Sequence, residues 1–586
     1  MNHPAARWLL RRAALAAFGL LLAAPLAAQT DRPAQPEPES GRSEKTLARA
    51  KQYMVAAAHP LAVDAGLQML AAGGSAVDAA IAVQLVLALV EPHASGLGGG
   101  AFLLHYDNRH RVIRAYDGRE TAPAAATPEL FMREGQAMSF RDAVTGGRAV
   151  GTPGVPRLLE QAHRQHGKLP WARLFEPAIA LAEQGFTVTS RLHTLLRRDS
   201  AMAGEPAARD YFFNTDGTPR AIGSMLRNPA LAATLRTLAA GGADAFYRGD
   251  IARDIAAAVR GHPRNPGTLS EADLAGYTVR EVEPLCAPYR SWRVCGMPPS
   301  SSGGIAVLQM LGLLAGHDLK ALRPDSAAAA HLFAEAGRLA YADRNRWVGD
   351  DRFVEVPLRG LLDPGYLAAR ARLIRPDRSL GRAEAGMPPG AKIARADDRL
   401  EETGGTSHIA VVDAAGNAVS MTTTIENFFG SRLMVRGFLL NNQLTDFNFN
   451  PVEDGRIVAN AVAPGKRPRS SMAPKLVFDA AGGLHLVVGS PGGSQIINYV
   501  AQTLIATLDW GLDIQAAIAL PHAGSRNGPT ELERGTAAEQ LAAPLRALGH
   551  EVQITDMTSG LHGIQRSADG WQGGADPRRE GLAKGR

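Results

Sequence analysis

Cysteine is almost missing: the 586 residues hold two, Cys286 and Cys295. That scarcity excludes a disulfide scaffold, a multi-cysteine zinc site and a cysteine-bound iron–sulfur cluster. Several chemical signatures are absent as well. There is no Gly-x-Ser-x-Gly elbow, and no phosphate loop, because the body's Gly-Lys pairs continue with Leu169 and Arg467. The glycine run at 96–100 lacks dinucleotide-binding spacing, since Ala101 stands where the last glycine belongs. No His-Glu-x-x-His occurs; His163 and His166 lie in a polar helical stretch and predict a solvated face, not a metal site. Nor is there a basic stripe. The net charge is +6, but Arg7, Arg11 and Arg12 carry three of those charges and the last eleven residues a net two, so the body is nearly neutral and nucleic acid is no expected partner.

What is present is an ordinary globular composition, 45% hydrophobic and 20% charged, with 62 glycines and 37 prolines that imply many turns. The N-terminus carries three basic residues, an apolar run from Ala13 to Ala24 and the small-residue stretch 24–28. This layout predicts a secretory signal over 1–28 and a periplasmic or secreted protein; the run is too short to span a bilayer, which takes about 20 residues. Residues 29–45 are polar and Pro/Glu-rich and predict a disordered leader. Cys286 and Cys295 flank the tip of an expected strand–turn–strand unit, either as a cross-strand disulfide or as two buried thiols.

Ser75 and Asp78 form a capping pattern ahead of a helix that is apolar all round except for Gln84. Residues 371–405 lack any sustained period and predict a mobile surface segment. The pattern then turns to β: two hairpins, each turning on Asp-Ala-Ala-Gly, at 407–425 and 474–490. The tail from about 572 to 586 reads as disordered. Between 404 and 494 small polar residues crowd together, and hydroxyl, amide and carboxylate groups at strand ends can line a polar pocket; plain turn chemistry is the alternative.

Six segments in order, DGRETAP at 117–123, PPSSSGG at 298–304, GTSH at 405–408, NNQLTDF at 441–447, KRPRSSM at 466–472 and GSPGG at 489–493, closely resemble the gamma-glutamyltransferase (gamma-glutamyltranspeptidase) family, over residues 46 to 565 or so. The resemblance implies an α/β fold of the N-terminal-nucleophile hydrolase type, a four-layer αββα sandwich. It also implies a precursor that cuts itself between Gly405 and Thr406 into a large subunit (46–405) and a small one (406–586) that pair with each other. Thr406 would be the nucleophile, its freed α-amine (pKa about 7.7–8.0) the general base. Thr424 would aim Thr406, and Gly492 and Gly493 would form the oxyanion hole. Arg119, Ser470 and Ser471 would hold the substrate α-carboxylate, Asp446 and Glu426 its α-ammonium, with Gln443 lining the same pocket. His408, beside the nucleophile, reads as structural.

The activity implied is transfer of the gamma-glutamyl group of glutathione and similar amides to water, amino acids or peptides, with no cofactor and no metal. Two departures stand out: Glu426 occupies a position where members carry Asn or Glu, and 447–465, a tyrosine-bearing lid in many members, has no tyrosine. The runners-up are a glutaryl-type (cephalosporin) acylase of the same fold and a non-processed secreted binding protein.

Overall fold

The computed structural model describes residues 41–392, 395–398 and 405–586, so the expected signal at 1–28 and most of the leader lie outside the described residues. Two antiparallel sheets of seven strands organise the chain. In the first, the strand order is Ala48–Ala50, Gly570–Ala575, His562–Ser567, Leu484–Gly489, Lys475–Phe478, Trp292–Gly296 and Leu285–Tyr289. In the second it is Leu582–Gly585, Met54–Ala57, Gly405–Val412, Ala418–Glu426, Gly100–Asp107, Val112–Gly118 and Arg280–Val282.

Side chains alternate between two cores along the central strands, as a period of two demands. Ile409 and Val411 join the cluster that holds the helix Ala76–Val90, while Ala410 and Val412 join Val477, Leu486 and Val488 of the other sheet. The helix Ala76–Val90 is buried along its whole length, and its start is fixed by the reciprocal Ser75–Asp78 capping box. The two hairpins are built alike. Oδ1 of Asp413 accepts the N–H groups of Ala415 and Asn417, and Oδ1 of Asp479 those of Ala481 and Gly483. Gly416 and Gly482 then supply the positive φ of +80° and +78° that closes each turn. Cys286 and Cys295 sit directly opposite each other in register and are joined as a disulfide.

Four expectations need correction. The tail at 572–586 is ordered. It supplies most of one strand to the first sheet and an edge strand to the second, and between them Arg578 is buried against Glu533 (2.8 Å) and Asp576 (3.1 Å). Charges that read as solvated are internal ion pairs whose partners lie up to 45 residues away. The leader's end is also fixed, Ser43 N–H donating to the Pro577 carbonyl at 2.8 Å. The described part of 371–405 is irregular but tied down: Glu335 accepts Ser379 Oγ and the Leu380 N–H at 2.8 and 2.7 Å, and Trp347 Nε1 donates to Gly386. Irregular sequence predicts missing ladders, not missing anchors, since the anchors belong to other elements. Finally, His163 and His166 are half-buried, with His163 Nε2 3.7 Å from Asp78 and His166 Nε2 2.7 Å from the Tyr116 hydroxyl.

Candidate active site

The register of two neighbouring strands places the central residues. Thr406 pairs with Thr424 and Gly405 with Glu426, and the irregularity between these pairs leaves Ile425 unmatched. Thr406 Oγ1 therefore lies 3.2 Å from Thr424 Oγ1, to which it donates. The Thr424 hydroxyl in turn donates to the Gly405 carbonyl at 2.5 Å and accepts the Glu426 N–H at 2.8 Å. Glu426 has a φ of +75°, a costly conformation for a non-glycine residue, and its N–H is thereby spent on Thr424 rather than on a ladder.

Opposite this strand end, a short helical turn at Gln443–Asp446 carries the acids' neighbours. Asn442 Nδ2 donates to Glu426 Oε2, and Gln443 Nε2 to Asp446 Oδ2 at 2.7 Å. Asn441 locks the turn in place. Its amide donates to the Gly98 and Gly151 carbonyls (2.7 and 2.9 Å) and accepts the N–H groups of Gly151 and Gln443 (3.0 and 2.9 Å).

Arg119, fully buried after the strand Val112–Gly118, reaches the same place. Its Nη2 bonds Asp446 Oδ2 at 2.6 Å and the Arg469 carbonyl at 3.0 Å, and its Nε the Pro468 carbonyl at 3.2 Å. Segment 468–472 is cradled by 300–302: Ser302 donates its N–H and hydroxyl to the Ser470 carbonyl, and Ser301 Oγ donates to that of Met472. Ser471 Oγ accepts from Arg344 Nη2 at 2.7 Å. Gly492 and Gly493 adopt φ of +134° and +55°, and a side chain at Gly492 would meet the Tyr499 ring at 2.6 Å, so only glycine fits there.

These groups share one pocket, lined by every predicted catalytic and substrate-binding residue except Gly492, together with Met472 and Ile496. Next to it, burial raises the Glu120 carboxyl to about 8, only partly opposed by the Arg119 guanidinium at 3.8 Å. Behind the nucleophile's strand, Glu91 accepts the Ser407 hydroxyl at 3.1 Å and is raised by burial to about 7. His408 is buried with Nδ1 2.9 Å from Thr422 Oγ1 and does not line the cavity. Among the described residues, His331, Glu335 and His550 have metal-ligand spacing. The Arg338 guanidinium lies 2.9 Å from Glu335 and 3.4 Å from His550, and a cation there opposes a second one.

The arrangement combines a hydroxyl nucleophile, a donor already on the adjacent carbonyl, glycine backbone nearby and a cation paired with an acid. That set suits acyl transfer from an amide bearing both charges of an amino acid. Sequence reasoning passed over Asn441, Asn442, Arg344 and Glu120. The first two and Glu120 fall inside the motifs at 441–447 and 117–123, whereas Arg344 sits in the helix Ala327–Trp347 with no local signal.

The Gamma-glutamyltranspeptidase family matches residues 62–585. The chain is 37% identical to the glutathione hydrolase proenzyme of Bacillus subtilis (strain 168), covering 94% of each, and 35% identical to that of Escherichia coli (strain K12), covering 97% of each. Among solved structures it is similar to the cephalosporin acylase from Bacillus halodurans, with TM-score 0.81, 28% identity, and 95% and 99% of the two chains covered.

Proposed function

The chain belongs to the gamma-glutamyltranspeptidase family, and from that premise we propose how its residues carry the family's chemistry. It is a gamma-glutamyltransferase with glutathione hydrolase activity. The supporting observation is the hydrogen-bond chain Thr406–Thr424–Gly405 in the same cavity as the Arg119–Asp446 pair.

The first reaction is on the chain itself. Thr406 Oγ1 attacks the Gly405 carbonyl carbon while the Thr424 hydroxyl stands where negative charge develops on the oxygen. The C–N bond breaks, its nitrogen takes the proton lost by the hydroxyl, and water then hydrolyses the ester to leave a Gly405 carboxylate and a free Thr406 amine. That amine did not exist before the cut, so maturation creates the general base.

The mature site then takes a zwitterion. The substrate α-carboxylate engages Arg119 with Ser470 and Ser471, and the α-ammonium engages Asp446 and Glu426, with Gln443 beside them. An ion pair inside the protein is thereby exchanged for two with the substrate, without stranding a charge. Thr406 Oγ1 gives its proton to its own amine and attacks the γ-carbonyl carbon; Gly492 and Gly493 offer N–H groups to the oxyanion. The departing peptide amine takes the proton, and water or an acceptor amine resolves the acyl-enzyme. The four-layer αββα reading is supported by the two cores, one between the sheets and one under the helix Ala76–Val90. Export through a signal at 1–28 is part of the same proposal, and among the described residues no helix is long and apolar enough to cross a membrane.

Similarity to a cephalosporin acylase raises a second reading, cleavage of a glutaryl amide. Glutaryl lacks the α-ammonium, and Glu426 with Asp446 would then face uncompensated charge. A site built around a polar group rejects the analogue lacking it by about 10⁴-fold. Release of a chromogenic anilide should be fast from gamma-glutamyl and negligible from glutaryl; comparable turnover of both would favour the acylase.

A further inference from the structure

Two lengths of chain that the proposed cut would separate meet at one buried carboxylate. Asp398 stands eight residues before Thr406 and is fully buried. Its Oδ1 accepts Asn448 Nδ2 at 2.9 Å; its Oδ2 accepts Asn460 Nδ2 at 3.1 Å and faces Arg469 Nη2 at 3.0 Å. Asn448, Asn460 and Arg469 all follow Thr406 in the chain, and all are buried too. A buried charge is tolerated where a partner charge and donors surround it.

Asp398 is fixed from the other side as well. Its N–H donates to the Asn345 carbonyl at 3.0 Å, and the neighbouring Asp397 accepts Arg346 Nε at 2.5 Å, both from the helix Ala327–Trp347. Ala396 bridges to Val458 and packs with it and Ala461.

Two short routes lead from Asp398 to the groups proposed to hold the substrate. Asn460 Nδ2, besides meeting Asp398, donates to the Asp446 carbonyl at 2.6 Å, and Asn460 Oδ1 accepts the Arg469 N–H at 2.9 Å. The Arg469 carbonyl in turn accepts Arg119 Nη2 at 3.0 Å. One carboxylate thus sets the backbone beneath both the acid and the cation of the pocket, without lining the pocket itself.

We propose that Asp398 is a positioning residue for the gamma-glutamyl group: through Asn460 and Arg469 it holds Asp446 and Arg119 at the spacing of the substrate's two charges, so that the end of the large subunit stays part of the site built by the small one. This role rests on the gamma-glutamyltransferase reading and adds a residue outside all six motifs. Contacts to the α-carboxylate and α-ammonium are the same before and during attack on the γ-carbonyl. Loosening them weakens ground state and transition state alike, which raises KM and spares kcat.

Asp398→Asn keeps the shape and removes the charge opposite Arg469. With gamma-glutamyl anilide its KM should rise at least about fivefold while kcat changes less than about twofold. The inhibition constant of free L-glutamate should rise in step, because that ligand carries both charges and has no bond to cut. Both constants are read on the self-cleaved protein, whose Thr406–Thr424–Gly405 hydrogen bonds Asp398 does not touch. If Asp398 merely stabilised the fold, fewer active molecules would lower kcat and leave KM and the glutamate constant unmoved; that outcome overturns the proposal. Should Asp398→Asn not fold, Asp398→Glu, which keeps the charge, carries the test: a rise in KM of about twofold supports the role and none overturns it. A wild type that releases no gamma-glutamyl anilide would sink the transferase reading itself, and the positioning role with it.

Discussion

At the scale of single residues, the site is defined by groups whose chemistry has no substitute. Arg119 makes a planar fork of contacts with Asp446 and two main-chain carbonyls. Lysine keeps the charge and loses the fork, so Arg119→Lys should lower kcat/KM at least about tenfold while self-cleavage persists. Unchanged kinetics would make Arg119 structural. Glu120 offers a pH signature. Its pKa of about 8 lies above the ordinary 4.5, chiefly through burial, so its contribution to stability is complete below pH 4.5 and is lost as pH rises through 8. Glutamine resembles the protonated form. Melting curves of Glu120→Gln and wild type should therefore diverge with rising pH, the variant gaining on the order of a few °C between pH 5 and 9. A gap that stays constant would show that Glu120 keeps its charge. Thr406, Arg119 and Asp446 are legible because each falls in a segment of distinctive residue types; Glu120 lies in such a segment too, but nothing in its neighbours along the chain announces burial.

Elements decide how those residues meet. The bulge between Gly405 and Thr406 and the positive φ of Glu426 bring the Thr424 hydroxyl under the Gly405 carbonyl. Asn441 holds the start of the turn Gln443–Asp446 through four hydrogen bonds to Gly98, Gly151 and Gln443, while Asn460 Nδ2 donates to the Asp446 carbonyl at its end. Truncating Asn441 to alanine strands buried partners, each costing about 1–3 kcal/mol unless water replaces the amide. Asn441→Ala should then unfold at lower denaturant by at least about 2 kcal/mol and lose kcat/KM, because Asp446 drifts. Loss of activity at full stability would instead give Asn441 a direct role at the substrate. Hairpin positions were readable from Asp-Ala-Ala-Gly, since an Asx side chain and a positive-φ glycine are local requirements. The short strands at 570–575 and 582–585 were not, because glycine-rich runs of four to six residues carry no period and owe their state to the strands beside them.

At the scale of the whole molecule, a chain cut at Gly405 as proposed would stay together. Both sheets mix strands from before and after Gly405, with Met54–Ala57 and Ala418–Glu426 flanking Gly405–Val412 on its two sides. Denaturing gels of the purified protein should show fragments of about 40 and 19 kDa, by proportion of the 61.9 kDa chain, while gel filtration without denaturant keeps them in one peak. Thr406→Ala should run as one uncut band, since no hydroxyl remains to attack Gly405. Efficient cutting of that variant would point to an external protease. The sequence by itself determined the family and the ordered set of chemical groups, because these depend on residue type and local spacing. Tertiary structure alone decided that the tail is sheet, that Arg578 is paired and that Asn441 anchors the turn. Those outcomes depend on contacts between residues tens to hundreds of positions apart, which leave no periodic trace along the chain.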